Sequence, residues 1–163
     1  MPEYDIGFAE KLATVANMVA TENLSTLDAQ RTVLYLSLLS AEISLKAMLE
    51  RAGMPVDDIY ARSNRLSELL FDVGRCEIKV KIAPNCLAYT SAIRLRACEL
   101  NYGDATITVG SIIDSVGERK VSCYPNQIRY GDVLKHFPPG VVAQMSEMIV
   151  AFARRHWNSI RII

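Results

Sequence analysis

Histidine is nearly absent from this sequence, with only His136 and His156 among 163 residues. The four cysteines (Cys76, Cys86, Cys98, Cys123) lie far apart without a CxxC spacing. Zinc needs clustered thiolate and imidazole ligands, so neither a metal nor another cofactor is expected. A glycine-rich phosphate loop is also missing, because "YGDATITVGS" has neither the spacing nor the lysine. No Ser-His-Asp set or working carboxylate pair can be assembled, and Asp57–Asp58 reads as a helix start. The N-terminus "MPEYDIGFAEKL" carries acids where a signal peptide carries bases, and no unbroken apolar run approaches about 18 residues. A cytoplasmic protein with reduced cysteines and no membrane contact is therefore expected. Repeats, low-complexity tracts and linkers are lacking, which points to a single domain over 1–163.

Half of the residues are hydrophobic and 22% are charged, as in a folded globular chain. Net charge is zero, but residues 1–74 hold six Lys/Arg against eleven Asp/Glu, and residues 75–163 hold twelve against seven. That split describes two complementary faces of one fold or a dimer, or a basic surface for a polyanion.

Hydrophobic periodicity predicts mostly helices. Over 4–22, Phe8, Leu12, Val15 and Val19 recur at helical spacing beside a strip of Ala9, Ala13, Ala16 and Ala20. "STLD" (25–28) reads as a capping box with Ser25 as the cap, opening a helix that Gly53 and Pro55 stop. This second helix is apolar around nearly its whole girth, which suits the centre of a bundle. A third helical stretch over 57–73 is broken by "RSNR", where Ser63 or Asn64 is expected to cap the restart. "CEIKVKIAPN" alternates and reads as a strand ended by Pro84. Leu87, Ser91, Leu95 and Cys98 return to helical spacing, predicting a fourth helix over 86–100. Residues 101–138 are expected to form a small β-containing or irregular insertion. Pro138 and Pro139 then introduce a last helix carrying Val142, Met145, Ile149, Phe152 and His156 on one face.

Inside the second helix, "AEISLKAMLERAG" sets Glu42 and Lys46 one turn apart, and "NRLSELL" follows. The pair of segments resembles the HEPN superfamily of small helical domains. Glu42, Leu45, Lys46 and Gly53 match its first motif; Leu66, Leu69 and Leu70 match its His-x-Leu-x-x-Leu-Leu segment. Asn64 stands where that segment most often has histidine, so a proton-carrying role there is lost. The resemblance is strongest over about 30–72. It implies a mainly α, HEPN-type up-and-down bundle of about five helices, with the β-containing insertion between the fourth and fifth. It further implies a homodimer and a setting in prokaryotic toxin–antitoxin, defence or stress systems, with an antitoxin or a nucleotidyltransferase-like protein as partner. Within this frame, Glu42 is expected to accept backbone N–H groups near Asn64–Leu66, with Lys46 stretched over apolar neighbours.

Nuclease members of the superfamily use an Arg and a His four to six residues apart as a metal-independent ribonuclease. By that resemblance Arg129 and His136, with "YGDVLK" between them, are the candidate catalytic pair. Arginine would hold a phosphate and histidine would shuttle a proton. Tyr130 follows Arg129 where a polar residue is usual, and Gly131–Asp132 reads as a loop. Arg119, Lys120 and Lys135 would add positive potential nearby. Arg154 and Arg155 belong to a basic helix end that the helix dipole alone favours. His156 lies on the apolar stripe and reads as a packed side chain. No aromatic residue lies among Arg75, Lys79 and Lys81, so they read as a solvated strand face without a stacking platform. The expectation is thus a non-catalytic module that binds a partner protein, nucleotide or RNA through its basic half, with a ribonuclease toxin as the alternative.

Overall fold

A computed structural model of the chain describes residues 1–118, 124–125, 128 and 137–163. Among these are six α-helices and two separate antiparallel hairpins. Helix α1 (Ile6–Glu22) starts at Asp5, whose carboxylate accepts from the Gly7 N–H at 2.7 Å, and ends at Asn23. The next helix, α2 (Leu27–Ala52), is capped by Thr26, one residue past the expected Ser25, through a 3.1 Å bond from the Ala29 N–H. Gly53 closes it at φ +105°, a left-handed conformation that glycine adopts without a side-chain clash.

At 26 residues α2 is about 39 Å long and forms the axis of the fold. By length and hydropathy it is apolar enough to cross a membrane, yet 67% of its most apolar window is buried inside the protein. Helices α1 and α6 (Pro139–His156) pack along it and against each other. Small side chains are buried on both α1 and α2. Ala9, Ala13 and Ala16 are buried on α1, as are Ser37, Ser40 and Ser44 on α2. The Ser40 hydroxyl donates to the Ala9 carbonyl at 2.7 Å, a hydrogen bond that requires close backbones. The larger residues of α1 face outward instead, with Phe8 51% and Met18 58% exposed.

The "RSNR" break is an ordered turn between α3 (Val56–Ala61) and α4 (Leu66–Gly74). Neither Ser63 nor Asn64 caps α4, which begins after Arg65 without a side-chain cap. Arg62 fastens the turn through a 2.8 Å bond to the buried Asp72 carboxylate. The Asp72 bond raises the pKa of that guanidinium.

The expected five-helix up-and-down bundle does not form: the described residues hold six helices and two hairpins, and the β structure begins well before residue 101. Residues 77–108 instead build β1 (Glu77–Ala83), β2 (Cys86–Ser91), a 3-10 turn (Ala92–Leu95), β3 (Glu99–Tyr102) and β4 (Ala105–Thr108). No helix spans 86–100. Its helical spacing is outweighed by the turn at Pro84–Asn85, where Asn85 takes φ +61° and sends the chain back to pair with β1. "ATIT" is a strand and pairs with Glu99–Tyr102. Val109 begins a further helix, α5 (Val109–Glu118), inside the stretch expected to be β-containing or irregular. Gly110 in α5 sits so close to Arg96 that a Cβ would collide with that side chain. The C-terminal end ties the fold together. Glu77 and Arg161 exchange backbone hydrogen bonds at 2.8 and 3.0 Å, and the Ile162 N–H reaches the Ala52 carbonyl at the end of α2.

Candidate functional sites

Two constellations stand out, a polar cleft on α2 and a basic hairpin face. Tyr35, Leu39, Glu42 and Lys46 lie on successive turns of one α2 face and form the floor of a cleft of about 310 Å³. Tyr60 of α3, Ser63 and Asn64 of the turn, and Tyr124 and Pro125 complete the lining. Glu42 and Lys46 are joined at 2.7 Å, with side chains only 14% and 10% exposed. The second carboxylate oxygen of Glu42 accepts from the Tyr124 hydroxyl. Glu42 therefore does not bind the backbone N–H groups of 64–66. Lys46 and the distant Tyr124 are its partners instead.

Around this pair the chain gathers aromatic rings. The Lys46 ammonium stands 5.5 Å from the centre of the Tyr4 ring, and the Tyr4 and Tyr60 rings are 6.1 Å apart. Tyr35 and Tyr124 are 6.0 Å apart. The Tyr60 hydroxyl donates to Glu3 at 2.5 Å, and this bond raises its pKa. Backbone N–H groups of Glu3 and Tyr4 donate to the Glu50 carboxylate at 2.8 and 3.0 Å, which docks the N-terminal segment onto α2. The Tyr4 hydroxyl is buried and has no hydrogen-bond partner among the described residues. Burial, with Tyr60, Glu3, Glu50 and Glu42 nearby, pushes this phenol up to about 12. Beyond Tyr35 a shallower cleft continues along α2, lined by Asp28, Arg31, Thr32, Leu36 and Ile128. Arg31 there donates to the Ile128 carbonyl at 3.0 Å.

The hairpin face arises from register. Lys79 pairs with Tyr89 and Lys81 with Leu87, so the four side chains share one face of the ribbon. The guanidinium of Arg161 lies 3.4 Å from the Tyr89 ring centre, and a 3.0 Å bond to Glu77 holds it there. Tyr89 is 41% exposed and both lysines are exposed. No aromatic residue lies among Arg75, Lys79 and Lys81 in the sequence, but strand pairing supplies Tyr89. Counting outward from the Pro84–Asn85 turn would set Tyr89 opposite Val80; a one-residue register shift between Lys81 and Ala83 brings it opposite Lys79, and no local pattern announces that shift.

The remaining candidates are scattered. Arg154 is paired with Glu10 through contacts of 3.0 and 2.6 Å. Arg155 is exposed beside His156. His156 is buried, with its ring 4.5 Å from that of Phe152. Burial first, then Arg155 and Arg94, lowers its pKa. Burial likewise raises the Cys76 thiol to about 11, so this cysteine is a poor nucleophile. Arg129, His136, Arg119, Lys120 and Lys135 lie outside the described residues. Among the described residues no three His, Cys, Asp or Glu side chains converge as metal ligands would. No protein-family model, curated protein or solved structure matches the chain.

Proposed function

We propose that the protein is a non-catalytic binding module whose basic half engages a polyanion, RNA foremost. The observation that carries this is the shared hairpin face of Lys79, Lys81 and Tyr89, with Arg161 stacked on the ring. Exposed ammonium groups attract phosphates and release counterions, while a tyrosine among them offers a π-face to an unpaired base. The resemblance of residues 30–72 to HEPN domains supports a place beside a partner protein in a prokaryotic toxin–antitoxin or defence system. It also supports pairing of two copies.

Fluorescence anisotropy with a labelled oligouridylate tests the reading. Binding should weaken steeply as salt rises, and Lys79→Glu with Lys81→Glu should reduce affinity about tenfold or more. The same mixtures, resolved by denaturing electrophoresis in EDTA, should show intact RNA. Cleavage that survives EDTA and disappears in His136→Ala would replace this reading with the ribonuclease built on Arg129 and His136. No binding at any salt concentration would leave the partner protein as the target.

A further inference from the structure

An ion pair inside an apolar helix does little for stability. Removing two charges from water costs about as much as their attraction returns, and apolar residues of similar volume do as well or better. The Glu42–Lys46 pair therefore calls for another reason, and its unused hydrogen-bonding capacity offers one. A carboxylate accepts up to about four hydrogen bonds, and Glu42 takes one at each oxygen, from Lys46 and from Tyr124. An ammonium has three N–H donors, and Lys46 gives one to Glu42. The cleft floor thus presents an acceptor beside a donor, 2.7 Å apart.

The walls and rim fit the same ligand. Tyr35, Tyr60 and Tyr124, with Leu39 and Pro125, offer flat or apolar surfaces. On the rim, the side chains of Ser63 and Asn64 line the cleft, and no hydrogen bond is formed by either among the described residues. Ser63 holds φ +52°, a left-handed conformation uncommon for a residue other than glycine. The nearby charges include Glu3, which bonds Tyr60, Glu50, which holds the N-terminal segment, and Asp57, close to Tyr60. These acids disfavour a phosphate, and the floor itself is neutral overall.

We infer that this cleft binds a flat, uncharged heterocycle bearing a carbonyl beside a ring N–H, such as the base of a free nucleoside. Lys46 donates to the carbonyl, Glu42 accepts the ring N–H, and the tyrosines flank the ring. This site is separate from the hairpin and independent of the RNA-binding reading.

Isothermal titration with uridine and guanosine tests it, with 3-methyluridine and uridine monophosphate as matched probes. Uridine and guanosine should bind. The 3-methyl compound, which lacks the ring N–H, and the phosphorylated one should each bind at least about tenfold more weakly. Tyr60→Ala on the wall, where the ring is half exposed, and Asn64→Ala on the rim should weaken uridine binding without lowering the melting temperature appreciably. They carry the test if Glu42→Gln fails to fold. Lys79→Glu with Lys81→Glu should leave uridine binding unchanged, which separates this site from the hairpin. Absence of binding by both nucleosides at about 10 mM, or equal binding of uridine and 3-methyluridine, overturns the inference.

Discussion

Lys46 and Lys79 are the same residue type in opposite circumstances. Lys46 is 8% exposed, tied to Glu42 and packed over the Tyr4 ring, on a helix that forms the axis of the fold. Lys79 stands exposed on a two-stranded ribbon at the surface, where its backbone N–H donates to the Ser159 hydroxyl at 3.1 Å. The first charge is coupled to stability, because any change there leaves a partner unsatisfied in a low-dielectric setting. The second is free to meet a partner from solution, because water already satisfies it. Burial, more than residue type, separates a structural cation from a recognition cation in this molecule.

The contrast can be broken at the buried end first. Glu42→Ala should strand the Lys46 ammonium and lower unfolding stability by about 3 kcal/mol, read as a shift in the urea midpoint. Replacing both partners, Glu42→Leu with Lys46→Met, should recover most of that loss. A full loss in the double variant would show that the pair itself stabilises the fold. Ser40→Ala removes the buried bond to the Ala9 carbonyl and should cost about 1 kcal/mol.

A smaller effect is expected from His156, whose folded pKa lies below the ordinary 6.5. Below that pH the unfolded chain takes up a proton that the folded protein resists. Its contribution is therefore complete above pH 6.5 and is lost as pH falls towards the folded pKa. Chemical denaturation across pH 5–7.5 should show a shallower decline for His156→Gln than for the parent. An unchanged slope would mean that the ring is not the group responsible. Smallest of all, Lys79→Ala and Lys81→Ala should each alter stability by less than about 0.5 kcal/mol while weakening RNA binding. A large stability loss there would erase the distinction between the two lysines.

Much of the helical framework was legible. Periodicity and terminal residues locate α1, α2 and α6 to within a few residues, because caps and prolines act locally. Which face of α1 is buried was not legible. Leu12 and Val19 are only partly buried, and the tight contact uses Ala9, Ala13 and Ala16, since only small side chains admit a serine-to-carbonyl bond between backbones. Residues 86–100 misled for a different reason. Helical spacing of apolar residues is a local pattern, whereas a two-residue turn commits both flanking segments to each other. Within the site, the Glu42–Lys46 pair follows from spacing alone. Its neighbours Tyr4 and Tyr124 come from 38 and 82 residues away from Glu42 in the chain, and no local pattern announces them. The expectation that Glu42 also binds backbone N–H groups near Asn64–Leu66 does not hold, since its second oxygen accepts from Tyr124.

The bridge between Glu77 and Arg161 bears on how the protein is made. The β1–β2 ribbon rests on a residue 84 positions later, and Ile162 meets the end of α2. A ribosome releases the helical axis long before it releases these anchors. Until Arg161 has left the exit tunnel, Glu77 lacks its backbone partner and the Tyr89 ring lacks the guanidinium that stacks on it.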